Sequence, residues 1–216
     1  MIRALCSGLC LVAMLAGPSN AMEFSIANAG LPVVYGTGPI VSGDAERLRP
    51  MLAKVPRDKF GLKHLHLNSP GGVVNAAFEM AAVMDSVGVS TMVPPNAFCA
   101  SACAAILFIA GRVHLVAPGG RLGLHACHNS VTKQTNELCN DRIASFALDR
   151  GTDYNSIRIF MDAAPADEMI WFSAGDADCF GLNAWPEGMK PAGWNACVIE
   201  AIRQSACRAG QRDKCR

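Results

Sequence analysis

The chain is predicted to fold as an α/β protein, and three observations carry that prediction. Strand-like and helix-like segments alternate through its middle. Strong turn signals punctuate the strand-like runs, Asn68-Ser69-Pro70-Gly71-Gly72, Pro94-Pro95 and Pro118-Gly119-Gly120. No apolar run after the N-terminus reaches the ~18 residues needed to cross a bilayer. Strand–helix–strand order with crossovers of this length predicts parallel pairing.

Met22 to Gly61 is punctuated by Gly and Pro, with short apolar runs such as Val33-Val34-Tyr35, and Gly43-Asp44-Ala45-Glu46 opens a helix through Leu52. Leu62 to Leu67 alternates as a half-buried strand does. His64 and His66 share one face of it and are read as ordinary half-buried residues. Val73 to Val87 reads as a helix, since Val74, Ala77, Phe78, Ala81 and Met84 recur on one side, and Gly88 ends it. Val89 to Val93 is a short strand. A nearly all-apolar helix is expected from Ser101 to Ala110, followed by strands at Val113–Val116 and Leu122–His125. Asn129 to Pro165 is polar and helical in character. Ser173-Ala174-Gly175-Asp176 is a capping-box signature for a last short helix ending near Gly181.

Residues 1–21 read as a secretory signal peptide: Arg3 gives the positive start, Leu9 to Ala16 the apolar core, and Ser19-Asn20-Ala21 the cleavage site. The expected location is therefore periplasmic or secreted. Residues 22–185 form the expected single domain, and 186–216 a cysteine-containing tail. Ten cysteines less Cys6 and Cys10 leave eight, an even number that suits disulfides in an oxidising compartment. Cys127–Cys139 and a pair among Cys197, Cys207 and Cys215 are the local pairings expected. The net charge of +1, with both signs dispersed, gives no nucleic-acid surface.

The chemistry concentrates around Cys99-Ala100-Ser101-Ala102-Cys103. A serine at a helix start has amides and a dipole suited to developing negative charge. Small neighbours keep its hydroxyl accessible, and Gly71-Gly72 allows close backbone approach. His125 supplies a base that titrates near neutrality. His125-Ala126-Cys127-His128 with Cys139 has spacing compatible with zinc, but the cysteines suit a disulfide better, and no metal or cofactor is expected. Lys63 and Lys133 are alternative bases with no positional support beside His125.

From Leu67-Asn68-Ser69-Pro70-Gly71-Gly72, through Ala100-Ser101-Ala102, to Leu124-His125, the chain resembles the ClpP family of serine peptidases, in particular its exported bacterial relatives. The resemblance covers roughly residues 60 to 185. It implies the ClpP/crotonase spiral of strand–strand–helix units, Ser101 as nucleophile, His125 as general base, and the amides of Gly72 and Ala102 as the oxyanion hole. A peptide or unfolded-protein substrate and assembly as a homo-oligomer follow from the same resemblance. The family's aspartate position is here occupied by Met169. Asp167 is the preferred third member, Glu168 the alternative, and a Ser/His dyad the third option. Two other functions stand beside the hydrolase: a non-catalytic relative that binds extended peptides, and acyl-CoA chemistry, disfavoured outside the cytoplasm.

Overall fold

The computed structural model describes residues 21–129 and 131–189. Residues 1–20 of the expected signal peptide and the cysteines of the expected tail lie outside the described residues.

The chain begins with an antiparallel hairpin, β1 (Glu23–Ala29) and β2 (Leu31–Thr37), in register from Glu23 opposite Thr37 to Ala29 opposite Leu31. The sequence marked only a short apolar run here, because Pro32 and Gly36 interrupt the alternation of β2. Helix α1 (Asp44–Lys54) follows where Gly43-Asp44 announced it. The Asp44 carboxylate accepts the Val41 N–H at 2.8 Å and pairs with Arg47, while Ala45, Leu48 and Leu52 turn inward at helical spacing. Strand β3 (Lys63–Asn68) lies parallel to β2, helix α2 (Val74–Val87) crosses over, and β4 (Val89–Val93) returns parallel to β3.

From β4 to β7, successive strands alternate between two sheets. β5 (Phe98–Ala100) leaves the first sheet, and a π-helix (Cys103–Phe108) leads to β6 (Val113–Val116) on the far side of β4. β7 (Arg121–Leu124) pairs in parallel with β5. Helices α3 (Glu137–Leu148) and α4 (Tyr154–Ala163) form the polar helical region. β8 (Ile170–Phe172) then runs antiparallel to β7, and α5 (Ala174–Cys179) is the last helix among the described residues. The result is a mixed five-stranded sheet, β1-β2-β3-β4-β6, and a smaller sheet, β5-β7-β8.

The helix expected from Ser101 to Ala110 is wound as a π-helix from Cys103. Every residue from Ala102 to Ala110 is buried, so no polar stripe existed whose spacing could have reported the winding. This helix packs against α2, α3, β4 and β5 and carries the centre of the core with Ile106, Leu107 and Phe108. Its last carbonyl, of Phe108, accepts the buried Thr91 hydroxyl at 2.6 Å. On α2, Ala77, Ala81 and Met84 are buried as expected, whereas Val74 and Phe78 lie at the margin of the core.

Two disulfides join described cysteines: Cys99–Cys103, and Cys127–Cys139 as the spacing suggested. Cys179 is disulfide-bonded as well. Among the described residues no helix is long and apolar enough to cross a membrane. Both features are compatible with an extracytoplasmic location.

Candidate active site

Three segments from distant parts of the sequence converge on one cavity, and backbone hydrogen bonds fix each of them. The turn after β3 is tied to β5: the Ser69 N–H donates to Phe98 O at 2.8 Å, and the Ala100 N–H donates to Ser69 O at 2.9 Å. The Ser69 side chain is fully buried and accepts the Gly71 N–H at 3.1 Å, which closes the turn on itself. Ser101 follows β5 directly. Its N–H donates to Gly123 O of β7 at 2.8 Å, and its carbonyl accepts the Ala105 N–H at 2.9 Å. His125 is the residue after β7, held in place by the Ala126 N–H bond to Ala164 O at 2.7 Å.

Ser101 has φ 56°, the left-handed region that few residues other than glycine adopt. A strand that must turn at once into a helix imposes this conformation. Strain of this kind gathers at functional sites, where surrounding structure enforces it. Here the enforcement is visible. Ser101 is pinned to β7 through its own N–H, and the Cys99–Cys103 disulfide spans it with a Cα–Cα distance of 5.2 Å.

Gly71 makes the arrangement possible. At its φ of +91°, a Cβ would sit 2.5 Å from Ala100 O, 2.7 Å from the Ser101 Cβ and 3.0 Å from the Ala102 nitrogen. Gly72 is bridged in parallel to Ile40: the Ile40 N–H donates to Gly71 O at 2.8 Å and Ile40 O accepts the Val73 N–H at 2.9 Å. That pattern turns the Gly72 N–H away from Ile40, and it donates to no other described group. The Ala102 N–H is likewise undonated. Gly72, Ser101 and His125 line one cavity of about 810 Å³, within the usual range for small-molecule and peptide sites. Ala102 is buried behind them and is not part of the lining.

The His125 ring is half-buried, and its Nδ1 is buried with no hydrogen-bond partner. Nε2 is thus the ring nitrogen available to the cavity. Burial, and secondarily the charge of His128, hold the His125 pKa below the ordinary imidazole value. The two rings lie 5.2 Å apart between centroids. No hydrogen bond joins the Ser101 hydroxyl to His125.

The structure does not bring Asp167 to this site. Asp167 and Glu168 are both exposed, neither lines the cavity, and neither bonds to His125. The reason is register. Leu124 pairs with Ile170, so one residue further along the two strands Met169 stands opposite His125. The Met169 sulfur packs over Gly123, 2.8 Å from where a Cβ there would lie. The expected triad acid is therefore absent from His125 as folded.

Lys63 donates to Leu52 O and Val55 O, each at 2.7 Å, and His64 bridges Asp58 and Ser90. Cys127 and Cys139 spend their sulfurs on each other, which removes two donors from the zinc pattern. Sequence reasoning missed the far wall: Ile40, Asn75, Leu138 and Arg142 also line the cavity. Leu138 and Arg142 come from α3, whose start is docked by the Cys127–Cys139 disulfide and by the Cys127 N–H bond to Asn140 Oδ1 at 2.7 Å. No local motif marks them.

No protein-family model matches the chain. No curated protein matches it either. What the cavity does has to be read from its own chemistry.

Proposed function

We propose that the protein is an exported, ATP-independent serine hydrolase of the peptidase class, built on a ClpP/crotonase-like arrangement and acting through Ser101 and His125. The observation that carries this reading is the left-handed Ser101, placed at the strand-to-helix turn in the same cavity as His125. Support also comes from the Gly72 and Ala102 N–H groups, which no described partner uses. An undonated amide beside a nucleophile is what an oxyanion hole requires.

In the proposed reaction the Ser101 Oγ attacks a carbonyl carbon while His125 Nε2 takes its proton. The carbonyl electrons move onto oxygen, which is received by the Gly72 and Ala102 amides. Collapse of the intermediate expels the leaving amine, which collects the proton from His125. Water then repeats the sequence to release the acid and restore the serine. Catalytic hydrogen bonds are often long before substrate binds, so the open Ser101–His125 pair is compatible with this cycle. The unpartnered Nδ1 supports a Ser/His dyad over a triad. Outside the cytoplasm, without ATP, the substrate is a short peptide or an unfolded segment. Assembly into a homo-oligomer, as ClpP and crotonase relatives assemble, belongs to the same proposal.

A second reading is favoured by one observation. With no acid on Nδ1, the imidazolium formed during attack is not stabilised, and loss of such an acid costs about 10⁴ in turnover in well-studied triads. A groove that binds extended peptides without cutting them fits that deficit. Incubation with a mixed peptide library, read by mass spectrometry, separates the two. Ser101-dependent cleavage supports the hydrolase, and intact peptides retained on the protein support the binding module.

A further inference from the structure

We infer that the cavity selects substrates carrying a carboxylate and that Arg142 is the residue that receives it. The inference rests on the peptide-hydrolase reading of the cavity, and it concerns a wall the catalytic groups do not use. Among the described residues, two histidines and Arg142 are the ionisable side chains of the lining, and no acidic residue is part of it. The guanidinium is already held in place. It lies 4.1 Å over the Phe78 ring, and its Nη1 donates to Asn75 Oδ1 at 3.3 Å. Stacking and one polar contact fix the plane of the fork while leaving most of its donors unspent.

Four acids on the neighbouring helices are committed elsewhere. Asp141 accepts the Tyr154 hydroxyl, Glu137 and Asp162 pair with Arg158, and Asp85 pairs with Arg150. Among the described residues no carboxylate pairs with Arg142. A pre-positioned, uncompensated guanidinium recognises planar anions, and carboxylate is the planar anion peptides offer. The rest of the wall suits a peptide chain: Val73 and Leu138 are exposed apolar residues at the rim, and the cavity volume of about 810 Å³ holds a few residues.

The carboxylate has two sources, an acidic side chain or a free C-terminus, and binding distinguishes them. Three capped tripeptides serve as probes: acetyl-Ala-Glu-Ala-amide, acetyl-Ala-Gln-Ala with a free carboxylate, and acetyl-Ala-Gln-Ala-amide. Calorimetric titration into the Ser101→Ala protein measures affinity without turnover. At least one carboxylate peptide is expected to bind roughly tenfold or more tighter than the neutral one, as charge-assisted hydrogen bonds imply. Whichever peptide wins identifies the source. Arg142→Gln is expected to erase the difference and Arg142→Lys to keep part of it. Equal affinities, no binding of any peptide, or a preference that survives Arg142→Gln overturns the inference. Chemical labelling of Ser101 in the wild type judges the hydrolase reading separately, because it does not depend on which peptide binds.

Discussion

Gly71→Ala should damage the protein more than an ordinary glycine replacement, and the structure sets how much more. Gly71 has φ +91°, where an L side chain costs about 1–2 kcal/mol from backbone sterics alone. Its new methyl would also lie 2.5 Å from Ala100 O and 2.7 Å from the Ser101 Cβ. Neither neighbour is the flexible end of a side chain. Both belong to the turn tied down by Ser69, Gly123 and the Cys99–Cys103 disulfide. Overpacking of a rigid site adds about 1–3 kcal/mol, for a total of about 2–5 kcal/mol. In a domain of this size each kcal/mol moves Tm by about 2–4 °C, so a fall of roughly 4–20 °C is expected. Gly151→Ala is the matched control: its φ is +82°, but nothing lies within 4 Å of the added carbon. That variant should lose only the backbone share, about 1–2 kcal/mol. Scanning calorimetry of both variants beside wild type measures the difference. Equal Tm losses at the two positions would refute the claim that Gly71 is there to let the turn close against Ser101.

Because burial and the His128 charge depress His125, the base stays neutral to lower pH than a free imidazole. The acid limb of kcat/KM should fall below the ordinary value near 6.5, and His128→Gln should move it upward. Asp167→Asn should change kcat/KM by less than about tenfold, against the far larger loss expected of a triad acid, since Asp167 is exposed and unbonded to His125. Mild reduction of the native protein followed by alkylation should tag the partly buried Cys127 and Cys139 before Cys99 and Cys103, which are fully buried. Replacing Cys127 and Cys139 by Ser should cost about 2–4 kcal/mol in denaturant unfolding. His114 is buried against Phe108 with Nε2 unpartnered, and burial takes its pKa down to about 4. The unfolded chain binds that proton more readily, so stability is complete above pH about 6.5 and falls as pH drops toward 4. The loss is on the order of 3 kcal/mol, and His114→Gln should flatten this part of the stability–pH curve.

Legibility followed the length and chemistry of each signal. The capping box at Ser173 and Asp176 forms as its four residues announce, with Asp176 N–H donating to Ser173 Oγ and the carboxylate returning to Ser173 N–H. Cys127–Cys139, α2, β3 and β4 were equally readable, from spacing or from periodic runs of five residues or more. β5 and β8 have three residues each, too few to show a period of two, and they are held by partners far along the chain. Their absence from the sequence reading had a consequence at the site. Without β8, the register that puts Met169 opposite His125 could not be seen, and Asp167 looked within reach. Gly72, Ser101 and His125 lie at the ends of elements, and it was the resemblance to the ClpP family that implied they share one site. Arg142 sits mid-helix on an arm placed by a disulfide and by Asn140, with nothing local to mark it.

The central claim is that Ser101 is an activated nucleophile. Treatment of the purified protein with a fluorophosphonate, followed by peptide mass spectrometry, tests it without any assumption about substrate. The account predicts a single adduct on Ser101, lost in Ser101→Ala and strongly slowed in His125→Gln, with the Tm of both variants close to wild type. A folded wild-type protein that takes up no label, or label that persists in Ser101→Ala, contradicts it.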